Sequence, residues 1–327
     1  MKKPLLLAIF ATAISSLAAA DPSAFLTLEK TIPLENVDGR IDHLAVDIPG
    51  ARLFVAALGN NTVEVVDLKA GKKLESLKGF AEPQGLLYVP DIDRLFIANG
   101  DDGSCRILDG HSFKLLEKAD LGKDADNVRY DARNKRVYVG YGSGGLAALD
   151  PLTGAKLADI SLPGHPESFR LEQVGSRIFV NVPSANQIAV ADRESGKIIA
   201  KWPLSEARSN FPLALDEANH RVFVGCRNPA KLLIYDEGGR LAGSVSISGD
   251  TDDLFYDPES KLIYVSCGQG SIDIVSQKSA DEYVKIAALP EPPGSRTSLF
   301  VPELKVLCLA VPHRGAQPAE IRVFKMN

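Results

Sequence analysis

Ala125-Asp-Asn-Val-Arg-Tyr-Asp131, a turn, and Arg136-Val-Tyr-Val-Gly-Tyr141 open a stretch that decides the fold. Past a Gly-rich turn it continues as Leu146-Ala-Ala-Leu-Asp150-Pro-Leu-Thr-Gly154 and Lys156-Leu-Ala-Asp-Ile160. Read by period, residues 125–160 hold four short strands separated by Gly, Asp, Asn or Pro turn signals. The run 137–139 is β-branched or aromatic with no polar interruption, the pattern of a strand covered on both faces. One small sheet of this kind cannot bury itself, so its neighbours must come from the rest of the chain.

The chain supplies them by repetition. The aromatic of the second strand recurs as Phe54, Phe96, Tyr138, Phe179, Phe223 and Tyr264, with Cys308 in the seventh slot. The spacings are 42, 42, 41, 44, 41 and 44 residues. A basic residue usually stands just before this anchor, as in Arg52, Arg94, Arg136, Arg177 and Arg221. A third strand then closes on Asp67, Asp109, Asp150, Asp192 and Asp236, with Ser276 and Lys325 in the last two copies. Four strands at this period are the arithmetic of a β-propeller blade. The expected fold is therefore all-β, a seven-bladed β-propeller with four antiparallel strands per blade.

The seventh copy reaches only its third strand, at Ile321-Arg-Val-Phe-Lys-Met326. Its fourth has a candidate near the other end, where Leu28-Glu-Lys-Thr-Ile-Pro-Leu34 resembles the fourth strand Leu116-Glu-Lys-Ala-Asp-Leu121. Pairing the two would close the ring and remove its exposed sheet edges.

Residues 1–20 have a different character. Met1-Lys-Lys precedes an apolar run too short to span a bilayer, followed by an Ala18-x-Ala20 cleavage pattern. The expectation is a secretory signal over 1–20, a single propeller domain over 21–327, and a periplasmic or secreted address. No later run approaches a membrane span. Removing Lys2 and Lys3 with the signal takes the formal charge from −5 to −7, which argues against nucleic acid as a partner. Cys105, Cys226, Cys267 and Cys308 read as buried small hydrophobes in preference to disulfides, since facing sheets lie about 10 Å apart.

Val63-Glu-Val-Val-Asp67-Leu-Lys-Ala-Gly-Lys-Lys-Leu74 and Arg136-Val-Tyr-Val-Gly140 resemble the YVTN-type (YncE-like) β-propeller repeat of secreted and periplasmic bacterial proteins. The likeness covers nearly the whole of residues 21–327 and weakens in the last two copies, where the Asp and Gly after the third strand are lost. The resemblance implies the fold. It does not choose among surface-layer proteins, ligand-binding proteins and relatives of lactonases and lyases.

In a propeller the first strand of each blade lines the central channel, and the loops leading into those strands open on one face. Here they are Gly39–His43, Glu82–Gly85, Asp124–Asn127, His165–Ser168, Arg208–Pro212, Asp250–Asp253 and Ser295–Ser298. The strands behind them are near copies, yet each loop carries a different polar set. That contrast points to a ring of side chains serving something other than folding.

The ring offers Arg40, Asp42, Gln84, Asp126, Arg208, Asp252 and Arg296 as ligand-binding groups. Arg129 and Arg170, two residues further along their strands, could point the same way by alternation. Arg227 and Arg314 could converge from strand ends and loops. Three readings compete: an ionic collar that fixes the ring, a small-ligand site, and a metal-assisted enzyme. In the last, Asn127, Glu167, Asn210 and Asp253 would gather on Ca²⁺ or another divalent cation, similar in kind to propeller lactonases. His43 or His165 would then be the general base.

Other motifs carry no chemistry. Gly140-Tyr-Gly-Ser-Gly-Gly145 joins two strands with no helix behind it, so it is a hairpin turn, not a phosphate cradle. Trp202 reads as packing on a fourth strand. The sequence reading is a propeller whose channel mouth binds a small polar or anionic ligand. The alternatives are a metal-dependent lactonase-type hydrolase or lyase at the same mouth, or a scaffold for a protein partner.

Overall fold

A computed structural model describes residues 21–327. The signal expected over residues 1–20 lies outside them. Seven four-stranded antiparallel sheets make up the described chain. The blade quoted first has strands Ala125–Asp131, Arg136–Tyr141, Gly145–Leu149 and Lys156–Ser161, paired in that order. Residues 142–144 are the hairpin turn expected for the Gly-rich segment.

The seventh blade is built from both ends of the described chain. Leu26–Pro33 pairs antiparallel with Glu320–Met326, in register from Leu26 opposite Met326 to Pro33 opposite Glu320. Val306–Val311 and Ser298–Val301 complete that sheet. Leu26, Ile32 and Leu34 are buried by this closure, whereas Leu28 on the same strand is half exposed.

The core is divided among the blade junctions. Seven apolar clusters each draw side chains from two neighbouring blades. Tyr138, Leu146 and Ala148, for example, meet Phe169, Ile178 and Val180 of the next blade. The anchor aromatics are fully buried there because both faces of each second strand are covered. Trp202 packs between Phe179 and Tyr235, with ring centroids 5.3 and 6.2 Å away.

In three blades the basic residue before the anchor ties one blade to the next. Arg52 Nε donates to Asp47 of its own blade at 2.8 Å, while Nη1 donates to Gly110 O of the following blade at 2.8 Å. Arg177 likewise bonds Glu172 and reaches Glu237 O, and Arg221 reaches Ala280 O. All four cysteines are buried free thiols.

Candidate ligand site in the central channel

Four of the inner strands begin with a bulge. Pairing with the second strand skips between Pro83 and Leu86, Ala125 and Val128, Asn210 and Leu213, and Thr251 and Asp253. The residues left out of the ladder include Gln84, Asp126, Phe211 and Asp252, and all four line one chamber of about 410 Å³. A bulge kinks its strand and re-aims the unpaired side chain, so polar groups turn into the mouth although the strand cores are copies. At Gly85 a side chain is excluded, since a Cβ there would lie 2.0 Å from Asp126 O of the neighbouring blade.

Arg40, Asp42, His43, His165, Glu167, Arg227 and Arg296 share that chamber, as the sequence reading expects. Glu82, Asp124 and Phe211 also line it and were not singled out as ligand groups. The mouth cations are already engaged. Arg40 pairs with Asp42 at 2.5 Å. Arg227 and Arg296 grip opposite oxygens of Asp252 at 2.6 and 2.9 Å, and Arg296 also bonds Asp250. The ionic collar and the lined chamber are thus the same set of groups.

The two histidines sit among carboxylates. His43 has Asp253 3.5 Å from Nδ1, with Asp42 and Asp126 3.8 and 3.9 Å from Nε2. Burial pulls its pKa down, but Asp253, Asp42 and Asp126 outweigh that and carry it up to about 10. His165 has Gly142 O at 2.6 Å and Asp124 at 3.3 Å from Nδ1, and Asp126 at 4.0 Å from Nε2. Here too burial is outweighed, by Asp126, Gly142 O and Asp124, and the pKa rises to about 9. Both rings are imidazolium at neutral pH. In that form the ring nitrogens donate hydrogen bonds and do not accept a proton.

Glu167 is the reverse case. Burial and the charges of Asp126, Asp252 and Asp42 push its pKa up to about 8. At neutral pH it presents mostly a protonated carboxyl, able to donate a hydrogen bond.

Arg129 and Arg170 do not reach the mouth. Two residues along a strand advance it by roughly 6.6 Å, so they keep the channel direction but stand one level deeper. With His43, Asp253 and an apolar wall they line a second chamber of about 290 Å³. His43 borders both chambers. Beside it the Asn127 amide lies 3.2 Å from Nε2 and accepts from Arg129 Nη2 at 2.8 Å. With its oxygen held by Arg129, the amide presents its NH2 end to Nε2.

The expected metal donors do not form a set. Asn210 is buried between blades, donating to Asn181 Oδ1 at 2.8 Å and to Gln187 O. Asn127 stands between the Arg129 guanidinium and the His43 imidazolium, where a divalent cation would be repelled. Asp253 accepts from Ser298 N at 2.9 Å and faces the inner chamber, whereas Glu167 faces the mouth. Among the described residues no group of three or more His, Cys, Asp or Glu is placed to hold a metal ion. The residues present do not fit the calcium site. Arg208 and Arg314 are exposed and outside both linings.

No family model matches the chain. Among curated proteins it is 21% identical to "Uncharacterized protein YncE" of Salmonella typhimurium over 247 residues, covering 70% of this chain and 69% of that one. The chain is a seven-bladed β-propeller similar in sequence to YncE. It is also 21% identical over 228 residues to "THO complex subunit 3" of Arabidopsis thaliana, covering 70% of this chain and 64% of that protein. In shape it is similar to a chain of "Crystal Structure of Mitotic Checkpoint Complex", with a TM-score of 0.78 at 15% identity over 98% of this chain and 99% of that one. A chain of "Kuenenia stuttgartiensis Hydrazine Synthase" gives a TM-score of 0.71 at 14% identity, covering 92% and 96%. These structural likenesses speak to the ring alone.

Proposed function

We propose that this propeller is a periplasmic or secreted binding protein that takes a small polar ligand at its channel mouth. The observation that carries the reading is the convergence of dissimilar bulge and loop side chains on one polar chamber of about 410 Å³. That volume falls within the range of small-molecule sites. Because the mouth arginines are already paired and the histidines lie against carboxylates, the groups left to read a ligand are Gln84 and the protonated Glu167 carboxyl. That set suits a hydroxyl-rich molecule better than a free anion. The address rests on the charged and apolar pattern of residues 1–20.

A thermal-shift and calorimetric screen of sugars, polyols and hydroxy acids on residues 21–327 tests the reading. At least one compound should stabilise the native protein and lose that effect in both Gln84→Ala and Glu167→Gln. A screen without a binder, or binding untouched by both substitutions, removes the mouth from consideration.

A further inference from the structure

The anchor of each second strand fixes a comparable position on each inner strand. Opposite Tyr138 and Phe179, on adjacent blades, stand Arg129 and Arg170. The same position in the other five blades holds Ala45, Leu87, Ala214, Phe255 and Leu299. One level of the channel therefore carries two neighbouring guanidiniums in an otherwise apolar ring. A packing ring that needed only to fill space would have no use for them.

Neither arginine has a carboxylate partner among the described residues. Arg129 donates to Val128 O at 2.7 Å and to Asn127 Oδ1, and its guanidinium lies 5.7 Å from the Phe169 ring. Arg170 donates to Phe169 O at 3.1 Å and to Ser168 Oγ at 3.3 Å. Asp253, the one carboxylate lining this chamber, is taken by Ser298 N and the His43 imidazolium. These neutral acceptors use part of each guanidinium and leave its charge uncompensated. The pKa of Arg170 is drawn down by burial and then by Arg129, and the opposing pull of Asp253 does not offset them. Arginine stays charged regardless, so the chamber keeps its positive potential. Two half-buried cations with no carboxylate within ion-pair distance give an anion a differential affinity for the chamber.

We infer that the inner chamber is a second binding site, for a small organic acid whose carboxylate meets Arg129 and Arg170 and whose apolar body lies against Leu87, Phe255 and Leu299. Planar guanidiniums match a carboxylate by paired hydrogen bonds. The leucine and phenylalanine walls exclude a wholly polar anion as the best occupant, since its remaining oxygens would face hydrocarbon. The inner site is separate from the mouth, with His43 between them.

Titration of residues 21–327 with 3-phenylpropionate, its neutral amide and inorganic phosphate tests this directly. The acid should bind and the amide should bind at least about tenfold more weakly, as should phosphate. Arg129→Gln and Arg170→Gln should each weaken the acid by about ten- to a hundredfold, the range for a hydrogen bond to a charged group. Arg208→Gln, an exposed charge outside both chambers, should leave it unchanged. In the absence of ligand, Arg170→Met should melt at or above the native temperature, because it removes an unpaired charge. Equal affinity for acid and amide, tighter binding of phosphate, or no binding of the acid would overturn the proposal. So would loss of binding in Glu167→Gln alone, which would put the acid in the mouth, or a lowered melting temperature in Arg170→Met.

Discussion

Replacing Ile32 by alanine tests how the ring is held shut. Ile32 is fully buried in the strand that completes the seventh blade, against Val55 and Val66 of the first blade and Ile321 of its own. Truncating a buried isoleucine to alanine costs about 2–5 kcal/mol through lost burial and the cavity left behind. Leu28, four residues earlier and 48% exposed, provides the control, with an expected cost under about 0.5 kcal/mol. Removing residues 21–34 altogether withdraws Leu26, Ile32 and Leu34, roughly 5–9 kcal/mol of burial at about 1.5–3 each. It also leaves Glu320–Met326 as an unpaired edge. Against a typical total of about 5–15 kcal/mol, that deletion should abolish or nearly abolish the folded state at 25 °C. Urea unfolding followed by circular dichroism reads all three variants. Equal midpoints for Ile32→Ala and Leu28→Ala would show that closure does not hold the ring, and the reasoning would fail.

The histidines give a pH window with a definite sign. The folded pKa of His43 is raised from 6.5 to about 10, so its contribution is fully present below about 6.5 and lost as pH rises through about 10. The gap corresponds to roughly 4–5 kcal/mol at most. Melting temperature should therefore fall more between pH 6.5 and 10.5 in the native protein than in His43→Gln, and parallel curves would refute the charged ring. The four cysteines should resist thiol reagents at pH 8 until the chain is unfolded, because burial raises every one of their pKa values. Rapid labelling of the folded protein would contradict that.

The blade count, the anchors and the closing strand were legible because each blade buries the same residues in the same order, and burial leaves a period. The mouth was legible for a related reason: Gln84, Asp126 and Asp252 interrupt copies that otherwise agree. Depth in the channel was harder to read from the loops alone. Asn127 and Asp253 stand eleven residues before their anchors, Glu167 twelve and Asn210 thirteen, so the four do not share one level. Arg129 and Arg170 both stand nine before theirs, with an apolar residue at that distance in every other copy. Counting back from the anchor, instead of matching loops, separates the two chambers from sequence. What no count could supply is the pairing, such as the hold of Arg227 and Arg296 on one Asp252, since that depends on bulges that sequence marks only weakly.

The seam between Leu26–Pro33 and Glu320–Met326 also sets a clock on the birth of the molecule. A strand made early must stay unpaired until its partner, about 290 residues later, has been synthesised. At about 5–20 residues per second that is a wait of roughly 15–60 seconds, during which Leu26 and Ile32 have no home. A ribosomal stall anywhere in that interval leaves the ring short of at least part of a blade and the early strand without Glu320–Met326, a species with a sticky margin that quality control can detect.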